Sequence, residues 1–435
     1  MKESVHVSNF DLVVLGGGSG GYAAALRGAQ LGLSVALIEA DKLGGTCLHR
    51  GCIPTKALLH AGEIADGARE ASHFGVNATF NSIDMSGVNS YKDGVIAKLH
   101  KGLQGLVKSR NITYIEGHGK LVSKDTIEVN GARYTGKNIL LATGSYARTL
   151  PGLDIDGKRV ITSDQAMKME YVPKSVIVLG GGVIGCEFAS VWKSFGVDVT
   201  IIEGLNHLVP LEDESSSKLL ERAFRKRGIN FELGIKFKSH RVNPDSVTVT
   251  LEDGREFTAD VLLVSIGRGP VTDGIGYQEA GIAMDRGYVL VDDHCRTNVP
   301  GIYAVGDIIP TLQLAHVGFQ EGILVAETIA GLNPRAINYD GVPRVTYSEP
   351  EVASVGLSTK VAKERGYDVV EVDYNLAGNG KAQILKTAGS IKLVAQKNGP
   401  VLGIHMVGAR VGELLAEAQL IFNWEATADD VAPLI

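Results

Sequence analysis

The chain lacks the marks of a nucleic-acid binder. Its 435 residues carry 43 Lys and Arg against 49 Asp and Glu, a formal net charge of −6, and only 6% are aromatic. Neither a phosphate-neutralising surface nor a base-stacking platform is indicated. Cysteine is also scarce: four residues are too few for a secreted disulfide framework. No apolar run approaches the roughly 18 residues of a membrane span. The opening segment MKESVHVSNF has no apolar signal-peptide core. There is no low-complexity stretch and no clear flexible linker. These absences predict a soluble cytoplasmic protein with no membrane and no nucleic-acid partner.

Glycine, by contrast, is abundant: 54 residues, about 12% where ~7% is usual. With 13 prolines, 44% apolar residues and no Gly-X-Y period, the excess is neither collagen nor disordered linker. It points to backbone that turns sharply or approaches a ligand closely. At ~150 residues per domain, the length suggests about three domains.

Some of this glycine falls in a repeat. A short apolar run, Phe10 to Leu15, leads into Gly16-Gly17-Gly18-Ser19-Gly20-Gly21, then a small-residue helical pattern stopping at Gly32, then a strand ending on Glu39. Later SVIVL leads into Gly180-Gly181-Gly182-Val183-Ile184-Gly185, a helical pattern stopping at Gly196, and a strand ending on Glu203. The third motif glycine precedes the capping glycine by 11 residues in both copies, and the acid follows 7 later in both. A lone G-x-G-x-x-G is weak. Two copies with strand, helix, cap and acid at equal offsets predict two nucleotide-binding β-α-β units. The glycines permit the tight turn, the approach of pyrophosphate and close helix–strand packing; the helix N-terminus offers N–H groups to phosphate. Glu39 and Glu203 can accept from a ribose diol. A carboxylate at Glu203, with no arginine in Gly204-Leu205-Asn206-His207, favours NAD over NADP at the second unit.

ILLATGS (Ile139 to Ser145) and VLLVSIG (Val261 to Gly267) read as equivalent buried strands ending in glycine turns, and IYAVGD as a strand ending on Asp307. Beyond about Asp340 the strands SIKLVAQ and VLGIHMVG and the helical GELLAEAQLIFNWEA suggest a further domain. His405, inside VLGIHMVG, reads as a packed residue; Cys186 and Cys295 read as small core fillers.

Cys47 and Cys52 lie five residues apart, just after the first unit. Pro54 marks a helix start, which places Cys52 at a helix N-terminus where the dipole favours a thiolate. Lys56, four residues on, adds positive charge on the same face. Three readings compete: a zinc site, two structural thiols, or a redox dithiol/disulfide beside a bound flavin. Zinc lacks two further ligands of suitable spacing. Adjacency to a dinucleotide unit favours the redox pair. His49 and Arg50 between them read as loop packing or surface.

Together, GGTCLHRGCIPTKALL, LATGS, LGGGVIGCEFASVWKSFGVDVTIIE, TNVPGIYAVGD, LQLAHVGFQEG and PEVASVG resemble the flavin-dependent pyridine nucleotide–disulfide oxidoreductases over almost the whole chain. The likeness is greatest to the bacterial branch that oxidises dihydrolipoyl groups. The resemblance implies an α/β fold with two Rossmann-like domains, for FAD and NAD, and a C-terminal α+β dimerisation domain. The implied boundaries are 1–150 with 271–339 for FAD, 151–270 for NAD and 340–435 for the interface. It implies that Gly16, Gly18, Gly21, Glu39, Thr46, Gly119, Thr143, Gly144, Asp307 and Ala315 hold FAD, with Asp307 on the ribityl hydroxyls. It implies Cys52 as the thiol facing the flavin and Cys47 as the thiol that meets the lipoyl group, the two forming a disulfide. Lys56 is implied near the flavin N5, paired with Glu187. Gly180, Gly182, Gly185, Glu187, Glu203 and Gly267 are implied to line the NAD site. The implied partners are a second copy of the chain and the lipoyl domains of 2-oxoacid dehydrogenase complexes or the glycine-cleavage lipoyl protein.

One element departs from the family. The family carries a catalytic histidine in H-x-H-P-T-x-x-E near its C-terminus; the eleven histidines here include no His-Pro. Thr427-Ala428-Asp429-Asp430 reads as a helix start followed only by VAPLI. The expectation is a chain that continues beyond Ile435; if it does not, lipoamide turnover falls while electron transfer from NADH to artificial acceptors survives. Two other readings are a related FAD/NAD(P)H disulfide or metal-ion reductase, and a catalytically compromised homologue with a structural role.

Overall fold

The computed structural model describes residues 7–434; the readings of the first six residues and of Ile435 lie outside the described residues. The chain forms two compact units: one of residues up to Pro54 with 91–147 and 268–339, the other of 55–90, 148–267 and 340 onward. The α/β fold class holds.

In the first unit, the apolar run becomes the strand Val7–Leu15, with Leu12, Val13 and Val14 fully buried. It pairs in parallel with Val35–Glu39 on one side and Ala132–Leu141 on the other. Thr113–Glu116 extends the sheet beyond Val35–Glu39, and Ile302–Ala304 adds in parallel to Ala132–Leu141. Continuous apolar strands of this kind are what a sheet covered on both faces requires. ILLATGS is a buried strand through Leu141 followed by a turn at Gly144, φ +73°, as its pattern predicts.

The second unit repeats the plan. Ser175–Leu179 sits between Asp198–Glu203 and Val261–Val264, all parallel. A three-stranded antiparallel sheet of Phe237–Val242, Val247–Leu251 and Glu256–Ala259 accompanies it. The segment from Arg344 onward forms a five-stranded antiparallel sheet containing Ser390–Gln396 and Val401–Gly408, with the helix Val411–Asn423 packed on one face through Leu415 and Ala418. Thr427 caps the short helix Ala428–Val431, exchanging hydrogen bonds with Asp430 as a capping box. Among the described residues no helix is long and apolar enough to cross a membrane.

Candidate active site

The two motif turns are built alike, bond for bond. The Gly16 N–H donates to the Ile38 carbonyl and the Gly180 N–H to the Ile202 carbonyl, both at 2.8 Å. The next N–H in each turn donates to the strand-end carboxylate: Gly17 to Glu39 Oε2 and Gly181 to Glu203 Oε2, both at 2.6 Å. The other carboxylate oxygen takes an N–H from two residues on, Asp41 or Leu205, at 2.8 Å in each case. Each acid thus braces its own turn, and each of its oxygens has a further lone pair able to accept another donor.

The glycines divide by purpose. Gly16 and Gly180 adopt φ near +108°, and a Cβ on either would strike the carbonyl oxygen of Ala142 (2.1 Å) or Ser265 (2.4 Å). A Cβ on Gly21 or Gly185 would sit 1.8 or 1.9 Å from the carbonyl oxygen of Gly16 or Gly180. These are packing constraints. Gly182 is different: a Cβ there meets nothing within 4 Å. Gly18 has only the Gly45 Cα at 4.0 Å. The helices Ser19–Gln30 and Val183–Ser194 start at these two residues with no side-chain cap and no acid in the first turn. Uncapped N–H groups beside a space kept clear by glycine fit a pyrophosphate. Gly267, at φ +109°, likewise meets nothing within 4 Å.

The thiol segment is seated on the first turn. A Cβ on Gly45 would lie 2.6 Å from the Gly18 Cα, so backbone touches backbone. Where a loop was expected, Gly45–Arg50 is a six-residue helix carrying Thr46 and Cys47. Its start at Gly44, φ +110°, leaves no room for a side chain because Leu48 fills that side. His49 hydrogen-bonds the Leu43 carbonyl at 2.9 Å and stacks edge-on against His100; Arg50 pairs with Asp41. After Gly51 the helix Cys52–Glu70 opens on Cys52. Both thiol residues are half-buried. The phenol of Tyr22, on the first motif helix, is pushed up to about 12 by burial and then by the charge of the Cys47 and Cys52 sulfurs.

Asp307 lies on a single turn, Gly306–Ile308, and accepts a short hydrogen bond from the Ser145 hydroxyl. Arg268 Nε donates to the same hydroxyl at 2.7 Å. The Thr143 hydroxyl donates to the Val271 carbonyl at 2.6 Å and shares a hydrogen bond with the Tyr277 hydroxyl at 3.0 Å. Ala315 is the first residue of the helix Ala315–Ile329, whose N-terminus also has no side-chain cap. Gly119 opens the strand Gly119–Ser123, where a Cβ would collide with Leu15 at 2.4 Å; the glycine there is a packing requirement.

Sequence reasoning missed Glu321. It is fully buried on the helix Ala315–Ile329, accepting from the Gly306 N–H (2.6 Å), the Thr311 hydroxyl (2.9 Å) and the Tyr339 hydroxyl (3.0 Å). Burial raises its carboxyl to about 7 against those donors.

In the second unit, Lys56 Nζ donates to both Glu187 oxygens, at 2.8 and 2.9 Å, as the resemblance implied. Glu187 is buried on Val183–Ser194. Tyr347, also missed, completes the group: its N–H donates to Glu187 Oε1 at 3.0 Å and its ring lies 4.7 Å from the ammonium. No sequence signal links these three, since 131 and 160 residues separate Glu187 from its partners. His405 is buried, with Nε2 on the Leu357 carbonyl at 2.9 Å, and burial lowers its pKa. Cys186 and Cys295 are buried, as core fillers should be.

Residues 10–322 match the pyridine nucleotide-disulphide oxidoreductase family, and residues 342–435 match that family's dimerisation domain. The chain belongs to the pyridine nucleotide-disulphide oxidoreductases. Within that family it is 42% identical to a dihydrolipoyl dehydrogenase of Bacillus subtilis (strain 168), over 98% of this chain and 94% of the relative. It is 38% identical to the mitochondrial dihydrolipoyl dehydrogenase of Pisum sativum, over 97% of this chain and 87% of the relative. The crystal structure of LpdA from Mycobacterium tuberculosis superposes with a TM-score of 0.91 at 28% identity, covering 98% of this chain and 96% of that one.

Proposed function

We propose that this oxidoreductase is an NAD-linked flavoprotein that oxidises dihydrolipoyl groups, as a homodimer acting on lipoyl domains of 2-oxoacid dehydrogenase complexes or of glycine cleavage. Residues 1–150 and 271–339 form the FAD-binding part, 151–270 the NAD-binding part and 340–435 the interface. The observation that supports the reading is the backbone contact of Gly45, which opens the helix carrying Cys47, with Gly18 of the first glycine turn. The names of the similar dehydrogenases support the substrate class.

The chain's own groups divide the work. Gly16, Gly18 and Gly21 shape the FAD turn, Glu39 takes the ribose, and Thr46, Gly119, Thr143, Gly144 and Ala315 frame the cofactor. Asp307, oriented through Ser145 and Arg268, keeps one carboxylate oxygen for the ribityl hydroxyls. Gly180, Gly182, Gly185, Glu203 and Gly267 serve NAD in the same way. Bound FAD supplies hydride transfer between the thiol pair and the nicotinamide. Cys47 meets the dihydrolipoyl thiolate in a mixed disulfide, breaking the Cys47–Cys52 bond. Closure of the lipoyl ring then releases Cys47. The substrate thereby loses two electrons and two protons; the electron pair and one proton leave as hydride to NAD⁺, and the other proton goes to solvent. Cys52, at the N-terminus of its helix with Lys56 one turn on, is held as thiolate.

Anaerobic titration of the purified holoprotein with NADH tests the reading. A long-wavelength band from the Cys52 thiolate against the flavin is expected, together with NAD⁺-dependent oxidation of dihydrolipoamide. A protein that binds no flavin, or gives no such band, overturns it.

A further inference from the structure

Tyr347 has no part in the dithiol chemistry set out above, yet its placement is over-determined. It follows the strand Arg344–Thr346 by one residue, and the segment after it is pinned to the second motif helix at two points one turn apart. The Tyr347 N–H donates to Glu187 Oε1 at 3.0 Å, and the Glu349 N–H to the Ser190 hydroxyl at 3.1 Å. Arg227 adds a third tie, donating to the Glu349 carbonyl at 3.0 Å. With its backbone so fixed, the ring lies 4.7 Å from Lys56 Nζ, within cation–π range.

The ammonium's contacts thus include two of different kind. Its N–H groups reach both oxygens of the buried Glu187, and a ring face lies beside it. Lysine is long and rotamer-rich, and the Lys56 side chain keeps 34% of its exposure, so the carboxylate alone leaves it room to move. The ring narrows that room. Burial raises the Tyr347 phenol, so the ring stays neutral and the hydroxyl takes no charge of its own.

We propose that Tyr347 is a positioning residue for Lys56, its ring holding the ammonium on Glu187 and thereby fixing the positive charge one helical turn from Cys52. This rests on the reading of Cys52 as the thiolate beside the flavin. An exposed cation–π contact is worth about 0.5–1 kcal/mol, roughly a two- to fivefold change in an equilibrium constant. Loss of the ring face should therefore raise the pH midpoint of the thiolate–flavin band by at most roughly 0.7.

The test uses the flavin-loaded protein and reads the pH profile of the long-wavelength band in the two-electron-reduced state. Tyr347→Phe keeps the ring and should keep the midpoint; Tyr347→Leu should shift it upward while flavin content is unchanged. Phenylalanine carrying one to three fluorines at position 347 preserves shape while draining charge from the ring face. It should shift the midpoint in graded steps, which keeps the test open if Tyr347→Leu fails to fold. A midpoint unmoved across the fluorinated series overturns the proposal, as does Tyr347→Phe shifting as far as Tyr347→Leu. Absence of the band from the unsubstituted protein overturns the functional reading instead, so the two failures are distinct.

Discussion

Gly182 and Gly185 stand three residues apart in one turn and are glycine for different reasons. A Cβ on Gly185 would lie 1.9 Å from the Gly180 carbonyl oxygen, so Gly185→Ala must open the turn. It should cost about 1–3 kcal/mol in chemical denaturation. Gly182, at φ −74°, can accept a Cβ without meeting any protein atom. Gly182→Ala should therefore leave stability within about 0.5 kcal/mol while raising the KM for NADH roughly tenfold, about 1.4 kcal/mol. Equal stability loss in the two variants would refute the distinction. Glu321 gives a prediction of another kind. Burial raises its carboxyl from 4.5 to about 7, and Cys295, Asp307, Thr311 and Tyr339 face it. Between those two values the folded chain holds a proton that the unfolded chain has lost. The stability so gained is complete below about pH 4.5 and fades as pH rises through 7, up to about 3 kcal/mol. Glu321→Gln cannot ionise, so its melting temperature relative to the parent should climb between pH 5 and pH 8; a constant difference would show that Glu321 does not titrate there. The glycines and strand-end acids were legible in the sequence because they recur at fixed offsets. Glu321 and Tyr347 were not, because what distinguishes them is burial and contacts made far along the chain.

Elements were legible where apolar period and caps agreed. The strands ending at Leu15 and Leu179, the capping glycines Gly32 and Gly196 at φ +86° and +93°, and the Thr427 cap are such cases. The helix Met85–Ser109 is the counter-example. It contains Gly87, Gly94, Gly102 and Gly105, which weigh against helix locally, and it persists because Leu103 and Val107 are buried in the core of the first unit. Gly45–Arg50 is too short for any period to show. Lys392 falls inside the strand Ser390–Gln396, and its side chain is buried between Asp213, at 3.1 Å, and Glu371, at 2.8 Å. Asp213 is also the cap of the helix Glu214–Arg227, accepting from the Ser215 N–H, and it takes the Thr359 N–H as well. Burial pushes its carboxyl up, but these donors outweigh it and hold it well below the usual range. One carboxylate thus ties a helix to a sheet across 179 residues. Asp213→Ala should cost about 2–4 kcal/mol, because it removes a helix cap and the acceptor of the Thr359 N–H and leaves the buried Lys392 ammonium with Glu371 alone. The double variant Asp213→Ala, Lys392→Met should recover part of that loss. Additive losses in denaturant titrations would deny the coupling.

For the whole molecule, the repeated turn implies a division of labour that kinetics can resolve. The same arrangement of glycines, carboxylate and uncapped helix occurs in both units, but among the described residues the separate short helix that carries Cys47 lies against the first turn, whereas the thiol at the second turn, Cys186, is buried with its Sγ donating to the Gly181 carbonyl. Under the proposed function, electrons enter through that helix and leave through the second turn. A step confined to the thiol end should therefore separate from one at the nicotinamide end. Cys47→Ser removes the sulfur that the proposal assigns to the lipoyl group but leaves Cys52, Lys56 and both turns in place. It should reduce dihydrolipoamide oxidation to background while NADH-driven reduction of an artificial acceptor stays within about twofold, since no group serving that half-reaction has changed. Gly182→Ala should depress both activities, because every electron pair passes its site. Measuring the two rates on the two variants gives a two-by-two pattern. If Cys47→Ser lowered both rates alike, the thiol end and the nicotinamide end would not be separable steps, and the assignment of Cys47 to the substrate side would fail.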